Sequence, residues 1–108
     1  MGCIEYADVS DIYVEHIVDG RTADVSGDID GESLTEIFSG TGSKLFLDAT
    51  GPYSRDDAEW LIMVSGNANK SYVVILGKKN YWYVPNQLFC NKIYDAGKIK
   101  AALMAMAG

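Results

Sequence analysis

Two cysteines, two prolines and a single histidine stand among 108 residues, and no apolar run approaches the length of a membrane span. The longest such runs, around Trp60 to Val64 and Tyr72 to Leu76, fall far short of the roughly 20 residues needed to cross a bilayer. The opening residues are acidic and lack an apolar core segment, so they do not read as a secretory leader. Met1-Gly2-Cys3 touches on a lipidation signal, but Tyr6 stands where myristoylation prefers Ser or Thr. Cys3 and Cys90, a lone and distant pair in a core-rich chain, read as two reduced thiols rather than a disulfide. These absences together point to a cytoplasmic protein with no membrane insertion. Repeats, low-complexity segments and linkers are also missing, so the length and a 48% apolar content describe one domain over residues 1–108.

Charge is present but unevenly spread. Residues 1–60 carry 14 acids against 3 bases, a balance of −11, and residues 61–108 carry 6 lysines against Asp95, a balance of +5. The lysines (Lys70, Lys78, Lys79, Lys92, Lys98 and Lys100) are scattered. An acidic chain without a basic stripe is poorly suited to grip a phosphate backbone, which excludes nucleic acid as a partner.

Ile12 to Val18 alternates and meets Asp19-Gly20, a strong two-residue hairpin signal, with Arg21 to Ile29 as the returning strand. Gly31 and Glu32 open a short helix whose Leu34, Ile37 and Phe38 share one face, closed by Gly40-Thr41-Gly42. The unbroken apolar run Lys44 to Ala49 suits a strand covered on both faces, as in a parallel sheet. After Gly51-Pro52, Ser54 is a good helix N-cap, with Asp56, Asp57 and Glu59 in the first turn opposing the positive end of the helix dipole. Trp60, Leu61, Met63 and Val64 then form that helix's apolar face, and Gly66-Asn67 closes it. Ser71 to Leu76 is a second covered strand, and a final helix runs from Ala96 to Met106 with Ile99, Leu103 and Met106 along one side. Between them, Tyr81 to Val84 reads as an antiparallel strand returned by Lys78-Lys79-Asn80, with a degenerate helix over Pro85 to Phe89 as the alternative.

This order resembles the STAS domain, the fold of bacterial anti-sigma-factor antagonists and of the cytosolic tails of sulfate transporters. Val25-Ser26-Gly27-Asp28-Ile29-Asp30 is similar to that family's second strand end, Lys44 to Gly51 to its central strand, and Ile93-Tyr94-Asp95 with Ile99 and Leu103 to its closing strand and helix. The likeness spans about residues 21–105. It implies a regulatory module whose surface near Tyr53 to Glu59 meets a protein partner. The family's Asp-Ser-Ser-Gly switch corresponds to Asp56-Asp57-Ala58-Glu59, so both switch serines are absent and regulation by their phosphorylation is not implied.

Other motifs fail on named residues. Asp48, followed at a distance by Pro52, resembles a receiver phosphoacceptor, but no acidic pair follows a first strand and no Lys-Pro pair follows Tyr94. Gly40-Thr41-Gly42-Ser43-Lys44 lies after a helix and before a strand, the reverse of a phosphate loop. The loop opening Asp28-x-Asp30-Gly31 meets Ile37 where a calcium loop needs its closing glutamate. His16 has no partner nearby in sequence and reads as structural or exposed.

The expectation is therefore an α/β domain with a central mixed or mostly parallel sheet of four to five strands and two to four helices. It is expected to be a non-catalytic regulatory or protein-interaction module without cofactor or metal. The protein-binding residues are Tyr53, Ser54, Asp56, Asp57 and Glu59, joined by Tyr81 and Trp82. Two alternatives stand beside it. One is a phosphoacceptor or small enzyme centred on Asp48; the other is a ligand-binding or self-associating module, a homodimer among its forms, using the aromatic segment 81–89.

Overall fold

A computed structural model of the protein describes residues 9–39, 43–47, 58–66, 71–84, 89–93 and 96–107. The hairpin signal is realised as expected. Strands β1 (Val9–Val18) and β2 (Arg21–Asp24) pair from Val18 opposite Arg21 to Glu15 opposite Asp24. Asp19 and Gly20 both take positive φ, 52° and 77°, the mirror-image turn whose twist matches that of the strands it joins.

The second strand stops at Asp24 rather than continuing to Ile29. Asp24 Oδ1 accepts the Ser26 N–H at 2.9 Å, which bends the chain into a 3-10 turn over Ser26–Asp28. The Ser26 hydroxyl then takes the position a further strand residue would occupy. It accepts the Val14 N–H at 2.8 Å, while the Val25 N–H donates to the Val14 carbonyl at 2.9 Å. Helix α1 (Gly31–Ser39) follows, with Asp30 as its N-cap: Oδ1 accepts the Glu32 N–H at 3.2 Å and Oδ2 accepts the Ser33 hydroxyl at 2.7 Å.

The mixed or mostly parallel sheet is overturned. Among the described residues the chain forms one seven-stranded sheet in the order β2-β1-β4-β5-β6-β7-β3, and every neighbouring pair is antiparallel. Two α-helices accompany it, α1 and α2 (Ala96–Ala107). The physical reason lies in the segment expected to be the second helix. A parallel sheet needs a long crossover between strands, and residues 58–66 do not supply one because they are themselves strand β4 (Ala58–Gly66). It is followed by β5 (Ser71–Gly77), β6 (Tyr81–Tyr83) and β7 (Phe89–Ile93), each pairing antiparallel with the one before.

The run Trp60-Leu61-Ile62-Met63-Val64 satisfies both periodicities, and burial decides between them. A helix would bury Met63 and turn Ile62 away, whereas Ile62 is fully buried and Met63 is 42% exposed. Strand β3 (Ser43–Leu47), expected in the centre, lies at the sheet's edge and pairs only with β7 among the described residues. The antiparallel Tyr81 strand and the final helix stand as expected, as does the strand from Ser71.

The helices share one face of the sheet. Leu34 and Phe38 from α1 and Ala96, Ile99 and Leu103 from α2 close over Val14, Trp60, Ile62, Val64, Tyr72, Val74 and Leu76. A smaller cluster lies on the other face: Leu61, Val73, Ile75 and Tyr81, flanked by Ile17 and Tyr83, with Ala58 joining it across an irregularity in the β4–β5 register between Ala58 and Trp60.

Candidate functional site

The β1–β4 register sets His16 directly opposite Trp60. Their rings stack with centroids 3.9 Å apart and planes 6° from parallel, so the imidazole roofs an indole that is only 2% exposed. Beside this stack the hairpin and α2 leave a groove of about 850 Å³, within the range of roughly 300–1,000 Å³ typical of ligand pockets. The hairpin contributes Ile17, Val18, Asp19, Gly20 and Thr22 and α2 contributes Lys100 and Met104, with Ala58 and Glu59 at the start of β4. Val18 and Met104 are each 52% exposed although both are apolar.

One end of the groove is fastened by Lys100. Its ammonium donates to the Gly77 carbonyl at 2.9 Å and lies 3.2 Å from Glu59 Oε2. Both side chains remain partly in water, so the ion pair itself contributes less than about 1 kcal/mol. Its effect is geometric: it ties the middle of α2 to the ends of β4 and β5. At the hairpin's base, hydrogen bonds from the Ser26 side chain and backbone hold the Asp24 carboxyl below its ordinary value. The Ser33 hydroxyl does the same for Asp30 at the start of α1.

Thr22 pairs with Ile17 and His16 with Ala23, so the Thr22 hydroxyl and the His16 imidazole of the lining project from opposite faces of the hairpin. Among the described residues no three His, Cys, Asp or Glu side chains gather as a metal site. No helix among them is long and apolar enough to cross a membrane. On the opposite sheet face Tyr13 donates its hydroxyl to Glu15 Oε1 at 2.6 Å, while Glu15 Oε2 is sealed from solvent with no hydrogen-bond partner among the described residues.

Of the residues singled out in the sequence, Glu59 stands at the groove. Tyr81 and Trp82 do not join it, nor do they form a shared patch. As neighbours in β6 they face opposite sides of the sheet. Tyr81 is buried in the smaller cluster, and Trp82 packs edge-on against Tyr72 at 5.9 Å beneath the helices. Tyr53, Ser54, Asp56, Asp57 and Asp48 lie outside the described residues. Sequence reasoning missed Trp60 as a site residue because it counted as helix core, and missed Val18 and Met104 altogether. The hairpin signal was the available clue, since it fixes which residues flank the turn.

The described residues form a small antiparallel α+β domain with helices on one face and a groove at the hairpin end. No family model matches the chain, and no curated protein or solved structure matches it either.

Proposed function

We propose that the chain is a non-catalytic, cytoplasmic protein-interaction module that receives its partner in the groove between the β1–β2 hairpin and α2. The observation that carries this reading is the placement of Val18 and Met104. Two half-exposed apolar side chains sit across a cleft whose floor is a stacked pair of rings. Exposed apolar groups brought together in a concavity, beside polar residues such as Asp19 and Glu59, are the usual composition of a contact surface. The regulatory role suggested by the STAS-like segments belongs to the same proposal and draws on Glu59 alone of the partner-facing residues near the expected switch.

The test is capture from lysate with the wild-type chain and with Val18→Asp/Met104→Glu, two changes at exposed positions. A partner retained by the wild type and lost from the variant, with the circular dichroism spectrum unchanged, supports the reading. Equal retention by both excludes the groove as the contact.

A further inference from the structure

We infer that the groove takes an arginine side chain presented by a peptide, flanked by aliphatic residues; this rests on the groove being the binding site. The charges lining it decide the sign of the ligand. Asp19 and Glu59 contribute two carboxylates and Lys100 one ammonium, and that ammonium is committed to Glu59 Oε2 and to the Gly77 carbonyl. Asp19, exposed at the tip of the hairpin, is left as the uncompensated charge on the rim. Among the described residues of the lining the one ammonium, Lys100, is already held by Glu59 and the Gly77 carbonyl, so an anionic ligand would face the Asp19 carboxylate, whereas a cation meets an open partner.

The floor favours a guanidinium over an ammonium. His16 lies flat on Trp60, so the groove presents a planar ring surface rather than a point acceptor. A guanidinium is planar, weakly hydrated and stacks on rings while its edge donates to a carboxylate; a lysine ammonium is compact and strongly hydrated. The walls favour a peptide over a free cation. Val18 from the hairpin and Met104 from α2, both half-exposed in the same groove as the stack, give apolar contact to the side chains before and after the arginine.

The experiment titrates isotope-labelled protein with acetylated, amidated Leu-Arg-Leu, with the same peptide carrying citrulline or glutamate at its centre, and with arginine amide alone. Citrulline keeps the shape of arginine and removes its charge. The expected result is that Leu-Arg-Leu shifts the ring resonances of His16 and Trp60 and the methyls of Val18 and Met104. The citrulline peptide should bind about tenfold more weakly and the glutamate peptide not at all, a discrimination in the range expected for a stacked, partly desolvated cation. Asp19→Asn keeps a residue that tolerates positive φ and removes the charge; it should weaken Leu-Arg-Leu about threefold and leave the citrulline peptide unchanged. Equal binding by the arginine and citrulline peptides overturns the cation assignment while leaving the groove as a binding site. Arginine amide binding as tightly as the tripeptide overturns the role of the flanking residues. Absence of groove shifts with every ligand overturns the inference, and the interaction reading then rests on the capture experiment alone.

Discussion

The two faces of the sheet bury their side chains by different means. The helix-covered face is closed by α1 and α2 over a continuous set of largely apolar residues, and His16, stacked on Trp60, sits at the end where helix cover gives way to the groove. Among the described residues the opposite face buries fewer side chains and admits a carboxylate, Glu15, with one oxygen bonded to Tyr13 and the other sealed without a partner. The difference teaches where each kind of work is done. Stability is concentrated under the helices, where each buried aliphatic contributes about 1.5–3 kcal/mol. Polar chemistry is pushed to the hairpin and to the second face.

Leu103→Ala tests that division most severely. It empties a fully buried site between α2 and the sheet and should cost about 2–5 kcal/mol in urea denaturation. A loss below 1 kcal/mol would show that the helices are not the principal cover. On the other face, Tyr13→Phe removes the hydroxyl bonded to a half-buried carboxylate and should cost about 1–3 kcal/mol. Tyr13→Phe/Glu15→Leu removes donor and acceptor together and should recover most of that loss; a double variant no better than the single would mean that Glu15 is adequately solvated.

The acid side of the stability curve gives a smaller effect. The Asp24 and Asp30 carboxyls are held below their ordinary value of 3.8 by Ser26 and Ser33 respectively. The unfolded chain therefore takes up these protons first, so the stabilisation is complete above about pH 4 and drains as the pH falls below it. Asp24→Asn/Asp30→Asn should flatten that limb in thermal melts, and an unchanged limb would assign it to other carboxylates. The smallest effect is expected of Lys100→Met, which loses an ion pair half in water and should change stability by less than about 1 kcal/mol.

Legibility in the sequence followed the range of the interaction. Asp19-Gly20 was legible because turn chemistry is contained in two residues. The two helices that formed were legible because Leu34 with Phe38, and Ile99 with Leu103, recur at helical spacing and are buried. The β4 segment was not, since a strand covered on both faces loses its alternation and Trp60, Leu61, Met63 and Val64 mimic a helix face. The edge position of β3 was not legible for a different reason: neighbour order in a sheet is set by contacts far apart in the chain. The groove failed on the same ground. His16 meets Trp60 only through the β1–β4 register, and Met104 meets both only through α2.

The strand order also sets a timetable. From β4 to β7 each strand lies beside the next in sequence, so this meander closes through short loops. The outer strands must wait for distant segments: His16 finds Trp60, and Ser43 finds Ile93, across about fifty residues in the latter case. Loop-closure entropy favours the meander as the folding nucleus, with the hairpin and β3 docking afterwards. Pulse-labelled hydrogen exchange should find the amides of Leu61 to Val64 and Val73 to Ile75 protected before those of β3, and the reverse order would refute the sequence of events. The groove, whose walls come from the hairpin and the last helix, is thus among the final parts of the molecule to exist, and a chain interrupted before that point has no site to offer.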